Sequence, residues 1–422
     1  MNILIIGNGA REHVFFKLLS NSSTKTNLFS INPNAAIQKL SSPIFSPFSF
    51  TLIKEIIKNY DIEMVVVGPE NPLIDGVYDF IKADSQINHV SVIGPSKNGA
   101  QLEGSKHFAK DFMKRNEIPT ASSRTFTKDS FSSACDFIKK SNPPYVLKAD
   151  GPAAGKGVVI LDNVEDAITE LKSMLIDSKF GTSSKKVVVE EFLSGIEMSC
   201  FVLFDGKNYL TLPYAKDYKR IGEGDKGLNT GGMGSISPVS FIDSELDHKI
   251  HQKIIIPTIN GIIKEKINYK GFVFIGLINV DNEPYVIEYN VRMGDPETQV
   301  VLPRIENDFL EILLAIENQS LDKINLKINP DHFSNVVLAS KGYPENYERG
   351  FEITGLNSVQ DSIIFQAGTS LAENKTITSG GRVLSVVSRD DSLKGALKKS
   401  YSNIEKINFE GKTFRKDIGF DL

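Results

Sequence analysis

Lys148–Ile160 reads KADGPAAGKGVVI. An apolar strand, YVLKA, delivers Lys148 to a run of small residues that carries a second lysine, Lys156, and a further apolar run follows. A Walker A loop needs G-x-x-x-x-G-K-[ST], with the final hydroxyl on magnesium. Here three residues separate Gly151 from Gly155, and Lys156 is followed by Gly157. Both the spacing and the hydroxyl are wrong, so a P-loop is excluded. Two readings remain for the stretch taken alone. A small-residue loop can close over a triphosphate with backbone N–H groups and Lys156 facing it. A tight strand–loop–strand turn with solvated lysines fits equally well.

Working outward, the stretch lies between a helix around Phe131–Lys140 and a helix at VEDAITELKSMLI, followed by the strand KVVVEEFL. Two β-rich stretches then flank the glycine-dense loop KRIGEGDKGLNTGGMGS, Lys219–Ser235. A helix around Ile250–Lys266 precedes the hairpin GFVFIGLINVDNEPYVIEYNV, with its turn at Asp281–Asn282. Towards the N-terminus, the short apolar runs NILIIG, NLFSIN, EMVVVGPE and VSVIGPS alternate with helical spacings. That alternation predicts a parallel sheet with helices on both faces. Ser20–Phe50 reads in part as surface loop, and KNGAQLEGSKHFAKDFMKRNEI predicts a long helical region at a domain junction. From about Pro330 short strands and turns run to the C-terminus.

The chain has 422 residues, enough for about two to four domains. Its 41% hydrophobic and 24% charged residues are ordinary for a globular protein, and a net charge of −4 gives no pull towards nucleic acid or an anionic membrane. Two cysteines, Cys135 and Cys200, cannot build a disulfide framework. Both read as core residues of a protein in a reducing cytoplasm. No apolar run approaches the ~18–20 residues of a membrane span, and MNILIIG is too short for a signal peptide.

Two further motifs carry chemistry. IIGNGAREH places Gly7 and Gly9 between a strand and a helix, half of a G-x-G-x-x-G fingerprint. Glu12 takes the third glycine's place, and the second strand ends in Asn32 without an acidic residue, so dinucleotide binding is disfavoured. The helix N-terminus can still hold a phosphate. In YVIEYN, Glu288 and Asn290 lie two apart on a strand and share a face, with Ile287 and Tyr289 on the other. A carboxylate and an amide oxygen beside phosphates suit magnesium, which completes its shell with phosphate and water. The bland alternative is a solvated strand face. The charges that follow in RMGDPE, namely Arg292, Asp295 and Glu297, are dense for a plain turn.

With these pieces in order, the chain resembles the phosphoribosylamine–glycine ligase (glycinamide ribonucleotide synthetase) family, ATP-grasp enzymes of purine biosynthesis. The resemblance runs the whole length through GNGAREH, VVVGPENPLIDG, GPSKNGAQLEGSKHFAKDFM, KADGPAAGKGVVI, VVVEEFLSGIEMS, KDYKRIGEGDKGLNTGGMG, VIEYNVRMGDPETQ, VVLASKGYP, TSGGRVL and RKDIG. It departs at Ala10, where the family usually has glycine, at Pro152, where it has leucine, and at Val291 and Met293, where it has cysteine and phenylalanine.

The resemblance implies an α/β and α+β multidomain fold. Residues 1–103 would form a substrate-binding parallel-sheet domain, and 104–325 a two-lobed ATP-grasp domain with its small lobe at about 120–190. Residues 326–422 would form a small β-rich domain. It implies ATP as substrate with Mg2+ or Mn2+, and glycine and 5-phosphoribosylamine as partners of a monomer or homodimer. ATP phosphates would meet Lys106, Lys148 and Lys156. Adenine would meet Glu190, Glu191 and the backbone of Phe192 and Leu193, and the ribose Glu197. Glu288 and Asn290 would be the metal ligands. Arg292 would take glycine's carboxylate in two bonds, as a guanidinium fork can. Asp217 and Asp295 would hold an amine, and Asn229 would steady an acyl phosphate. Phosphoribosylamine would lie along Gly9, Ala10, Arg11, Glu70, Asn71 and Asp75. His13, alone on the first helix, reads as structural. Two other classes stay open: a biotin-carboxylase-like relative and a nucleotide-binding regulator without turnover.

Overall fold

The computed structural model describes residues 1–153 and 157–422. Residues 154–156, with Lys156 of the loop expected to close over a triphosphate, lie outside the described residues.

Five short strands, Asn2–Ile6, Asn27–Ile31, Ser42–Ile44, Met64–Val67 and Ser91–Ile93, form the N-terminal sheet. Every neighbouring pair is parallel, and Asn2–Ile6 lies between Asn27–Ile31 and Met64–Val67. Helices cover both faces of such a sheet, so its inner strands are continuous apolar runs rather than alternating ones. Ile3 to Ile6 and Met64 to Val67 are all buried. The strand order reverses between these two strands. The crevice at their C-terminal ends is where such sheets bind ligands, and here it is rimmed by Gly7–Gly9 and Gly68–Glu70.

The predicted long helix after Pro95 is broken. Gln101–Gly104 and Lys106–Arg115 are separate helices because Ser105 is extended and caps the second, its Oγ accepting from Phe108 N at 3.1 Å. The break makes Lys106 the first residue of its helix.

A four-stranded antiparallel sheet follows, in the order Ser123–Thr127, Lys186–Glu190, Tyr145–Ala149, Val158–Leu161. Helices Phe131–Lys140 and Val164–Leu175 pack on it around Phe126, Ile138, Leu147, Leu171 and Val187. A second antiparallel sheet orders Tyr209–Thr211, Ile196–Phe204, Gly271–Val280 and Glu283–Asn290. Its last hairpin turns at Asp281 and Asn282, both at positive φ (49° and 63°), as the sequence predicted. The helical region before this hairpin starts earlier than expected, at Ser244, and passes through a π-turn at His251–Ile255.

The C-terminal region holds more than short strands. His332–Ser340 and Arg382–Asp390 are long, and Leu393–Ile404 is a twelve-residue helix packed on them. Ser392 caps that helix, its Oγ accepting from Gly395 N. The sheet of this region does not stop at residue 326. Gly234–Ser237, directly after the glycine-dense loop, pairs with His332–Ser340, and Lys216–Asp217 extends it further. One ladder of backbone hydrogen bonds therefore joins the glycine-dense loop to the C-terminal strands. Cys200 is buried in the core as expected, whereas Cys135 is half-buried at its edge; both are free thiols.

Candidate active site

Lys148 reaches the end of its strand with its ammonium 2.9 Å from Glu190 Oε2 on the neighbouring strand. Lys110 approaches the same oxygen at 3.3 Å and also donates to Thr120 Oγ1 and Ala121 O. Burial pushes the Lys110 ammonium down to about 8 against the opposing pull of Glu190. Glu190 Oε1, buried as well, has no hydrogen-bond partner. A buried acceptor left open costs free energy unless something donates to it. The expected contact to an exocyclic amine would satisfy this atom. Lys110 was missed in the sequence; its i, i+4 spacing from Lys106 on one helix face was the available signal.

Lys106 donates to Gly151 O at 3.3 Å. Asp150 fixes the start of its helix, accepting from Ser105 Oγ and His107 N at 2.9 and 2.8 Å. Burial lowers the Lys106 pKa, and the carboxylate of Glu288 opposes that. Glu191 is engaged at a strand end, accepting from Ser122 N at 2.8 Å, and Phe192 is exposed. Glu197 accepts from Lys219 Nζ at 2.7 Å, and that charge holds its carboxyl below the usual range.

Glu288 and Asn290 share a face by simple alternation, since Glu288, Tyr289 and Asn290 pair in unbroken register with Gly276, Ile275 and Phe274; the alternation breaks just before them. The strand bulges opposite Gly276–Leu277, so Gly276 pairs with Glu288 and Leu277 with Val286. Val286 and Tyr289, three apart, therefore both enter the core, while Ile287 does not. The expectation that Ile287 and Tyr289 share the opposite face fails because the bulge absorbs one residue. Gly276 leaves room for the carboxylate: a Cβ there would stand 3.2 Å from Glu288 Cγ. Among the described residues the Glu288 carboxylate makes no hydrogen bond or ion pair, and its charge favours the charged forms of Lys106 and Lys219. An uncommitted carboxylate with an amide oxygen two residues on, beside cations that attract phosphate, fits a hard divalent ion. No cluster of three or more His, Cys, Asp or Glu poised for a metal occurs among the described residues.

Arg292 is not free to act as a fork. Its Nη2 donates to Glu103 Oε1 at 2.7 Å and to Asn290 Oδ1 at 3.0 Å, and Nη1 donates to Met293 O. Nε stands 3.5 Å from Glu70 Oε2 and is buried without a hydrogen bond. Every guanidinium edge that presents two N–H groups includes Nη2, and both of its protons are taken. The expected two-bond grip on a carboxylate therefore needs Asn290 or Glu103 to let go. Glu103, missed in the sequence, also accepts from Val291 N at 2.8 Å. Burial raises its pKa, and Arg292 opposes that shift.

Asp295 is likewise committed. Its carboxylate meets Arg382 Nη1 at 3.3 Å, Gln299 Nε2 at 2.9 Å and Arg11 N at 3.4 Å. Burial would raise its pKa, but the charges of Arg382 and Arg11 outweigh that and lower it. It is therefore a joint between segments rather than an open site for an amine. Asp217, the other residue expected to hold an amine, stands near a second acid, Glu297. Burial raises the pKa of Asp217, and burial followed by the charge of Asp217 pushes Glu297 up to about 7. Glu297 Oε1 accepts from Ser199 Oγ at 3.2 Å, and Gly294 has no side chain to collide with its carboxylate. Lys219 faces this acidic pair with its pKa raised, burial opposing and Asp217 favouring its charge. Asn229 ends the strand Lys226–Asn229, half-buried, on the same loop.

In the N-terminal crevice, Arg11 is buried, donating from Nε to Glu12 at 2.6 Å and from Nη1 to Met293 O at 3.1 Å. Glu12 caps its own helix, accepting from Gly9 N at 2.7 Å. It fills space that Gly7 and Gly68 leave, where added Cβ atoms would stand 2.6 and 2.0 Å from it. The residue that breaks the dinucleotide fingerprint is thus a built-in cap. Ala10 is buried, Gly9 and Glu70 are partly exposed, and Asn71 and Asp75 are open to solvent on the short helix Glu70–Asp75. His13 is structural, as expected. Nδ1 accepts from Gln366 N at 2.8 Å, the ring meets Phe365 edge-on, and burial pushes its pKa down to about 3.

Three models of the phosphoribosylglycinamide synthetase family match in order: the N domain over residues 1–103, the ATP-grasp (A) domain over 104–298 and the C domain over 333–421. A phosphoribosylamine–glycine ligase of Caldanaerobacter subterraneus is 42% identical over 419 residues, covering 99% of both chains. The bifunctional purine biosynthetic proteins of Pichia angusta and Dictyostelium discoideum are 40% and 43% identical over 99% of this chain. The chain spans about half the length of these two relatives, 53% and 54%. The crystal structure of a phosphoribosylamine–glycine ligase from Thermotoga maritima superposes with a TM-score of 0.85 at 35% identity, covering 99% of this chain and all of that one. A biotin carboxylase of Campylobacter jejuni shares the fold, with a TM-score of 0.75 at 14% identity over 98% of this chain and 92% of that one.

Proposed function

The chain belongs to the phosphoribosylglycinamide synthetase family, ATP-grasp ligases that form glycinamide ribonucleotide in purine biosynthesis, and we propose that it joins glycine to 5-phosphoribosylamine through glycyl phosphate. A glycine carboxylate oxygen bonds to the γ-phosphorus and ADP leaves. The amine nitrogen then bonds to the glycyl carbonyl carbon, the C–O bond to phosphate breaks, and the amine loses a proton.

The observation that carries this reading is the interacting set of Lys106, Lys148, Glu190, Glu197, Lys219, Asp217 and Glu288, joined by the Lys148–Glu190 and Lys219–Glu197 ion pairs, although its members come from the helix Lys106–Arg115, both antiparallel sheets, the glycine-dense loop and the C-terminal sheet. Positioning and charge neutralisation are what phosphoryl transfer asks of a protein. Lys106 and Lys148 supply positive charge to the phosphates, and Lys156, outside the described residues, is proposed to add a third. Glu190 Oε1 accepts from adenine's exocyclic amine, the backbone of Phe192 and Leu193 pairs with the ring edge, and Glu191 shapes that hinge. Glu197 takes the ribose hydroxyls. Glu288 and Asn290 would hold a magnesium or manganese ion, which when bound neutralises phosphate oxygens. Arg292 orients the glycine carboxylate once Nη2 is released by Asn290. Asn229 steadies the acyl phosphate, and Asp217 with Glu297 holds the amine and accepts its proton.

The switch-point crevice, with Gly9, Ala10, Arg11 and Glu70, suits the ribose phosphate, and Asn71 and Asp75 lie at its outer edge. We place the domain limits at 1–103, 104–325 and 326–422, with the small lobe at about 120–190. The free thiols suit a reducing cytoplasm; among the described residues no helix is long and apolar enough to cross a membrane.

The deciding experiment uses glycine labelled with heavy oxygen in its carboxylate. One label should appear in the released phosphate. Unlabelled phosphate alongside new glycinamide ribonucleotide would overturn the acyl-phosphate route. ADP release that needs bicarbonate and biotin but not glycine would point to a carboxylase. Tight ATP binding without ADP release under any substrate would point to a regulator.

A further inference from the structure

The glycine-dense loop carries Asn229, yet much of what holds its backbone comes from the far end of the chain. Gly231 N donates to Tyr343 Oη at 2.9 Å, and Gly231 O accepts from Arg382 Nη1 at 2.8 Å. One peptide residue is thus gripped at both its polar groups by two C-terminal side chains. The same Arg382 nitrogen donates to Asp295 O at 2.7 Å and faces the Asp295 carboxylate at 3.3 Å. Arg382 therefore ties the loop to the segment that follows Arg292, and Asp295 passes the tie on to Arg11 N in the first domain.

The packing at this junction leaves no slack. A Cβ on Gly231 would stand 2.9 Å from Arg382 Cζ, one on Gly232 2.3 Å from Pro296, and one on Gly381 2.3 Å from the Tyr343 ring. Gly232 also has φ +116°, which side chains rarely adopt. Within the loop, Thr230 N donates to Lys219 O and Gly232 N to Thr230 Oγ1, so displacement of Gly231 reaches the backbone of Lys219. Among the described contacts, neither Arg382 nor Tyr343 touches Lys106, Lys148, Glu190 or Glu197.

We propose that Arg382 and Tyr343 are positioning residues that set the glycine-dense loop for glycine and phosphoribosylamine while leaving the phosphate and adenine groups of the nucleotide site, Lys106, Lys148 and Glu190, unaffected. The proposal rests on the ligase reading above. It gives the C-terminal unit a part in substrate selection through the position of Asn229.

The test compares the full-length wild type with Arg382→Met, Arg382→Lys and Tyr343→Phe. Loss of a charged hydrogen bond that fixes the loop should raise the KM for glycine and for phosphoribosylamine by at least ~10-fold in Arg382→Met. Tyr343→Phe keeps the ring and removes one acceptor, so a rise of about 3-fold is expected. Arg382→Lys should recover part of the loss, because the charge facing Asp295 returns. ATP affinity, read by displacement of a fluorescent nucleotide, should stay within about 2-fold throughout. Equal losses of ATP affinity and substrate KM, tracking a fall in Tm, would mark a merely structural role and overturn the inference. Unchanged KM values in Tyr343→Phe and Arg382→Met would overturn it too. A wild type that makes no glycinamide ribonucleotide would overturn the ligase reading itself, a failure distinct from that of the variants.

Discussion

Asn290 Oδ1 accepts a hydrogen bond from Arg292 Nη2 at 3.0 Å. The oxygen proposed for the metal and the guanidinium proposed for glycine therefore hold each other. A divalent ion on Asn290 would free one Nη2 N–H group from its hydrogen bond, and Nη2 lies on every two-pronged edge of the guanidinium. Metal and glycine should bind with positive coupling: rising magnesium should lower the KM for glycine, and Asn290→Ala should abolish that dependence. Initial rates over a grid of magnesium and glycine concentrations measure it.

Glu288 has no protein partner to lose among the described residues. Glu288→Ala should therefore leave Tm near the wild-type value while lowering kcat by about 100-fold or more and raising the magnesium needed for half-saturation. Near-normal turnover at ordinary magnesium would remove Glu288 from the metal site.

Arg292→Lys keeps one charge but meets Glu70, Glu103 and Asn290 with a single nitrogen. Glycine KM should rise by at least ~10-fold with ATP affinity little changed, and Tm should fall because Glu103 is left buried with a poorer partner. Steady-state kinetics and a thermal melt on one preparation separate the two effects.

Glu190 Oε1 is the buried acceptor without a donor. ATP offers an amine at that end of the base and GTP a carbonyl, so the wild type should discriminate strongly against GTP. In Glu190→Gln the amide can serve either base. The ratio of kcat/KM for ATP over GTP should shrink by at least ~10-fold, and a ratio that does not move would separate Glu190 from base recognition.

His13 is neutral in the fold, with a pKa near 3 against 6.5 in the free side chain. Between those values the unfolded chain takes up a proton that the native chain refuses. Stability from this residue is thus fully present above pH 6.5 and is lost as pH falls towards 3, at about 1.4 kcal/mol per pH unit. His13→Gln retains an acceptor for Gln366 N but has no such proton. Its urea midpoint should fall less between pH 7 and pH 5 than that of the wild type.

Much of this protein was legible in the sequence because the signals are local. The parallel first sheet follows from apolar runs alternating with helical spacing, and the hairpin turn from Asp281–Asn282 between two strands. The P-loop could be excluded from spacing alone. The break at Ser105 was only half legible and the bulge at Ile287 not at all. Gly104 is a poor helix former and Ser105 a favoured cap, but the break is secured by Asp150, far along the chain. A bulge depends on the partner strand, and nothing in YVIEYN marks it.

By itself the sequence determined which residue types could do phosphate and metal chemistry, the order of the segments that carry them, and the fold class. Chain connectivity and hydrophobic period are written residue by residue, so no distant partner is needed to read them. Only the tertiary structure decided which of those charged groups stand open. Arg292 and Asp295, two of the strongest candidates by type, are held by Glu103, Asn290, Arg382 and Arg11 from three regions of the chain. Glu190 Oε1 and Glu288, by contrast, are left without partners among the described residues. A buried charge must be paired or wait for a ligand, and the pairing is fixed by which segments the folded core brings together.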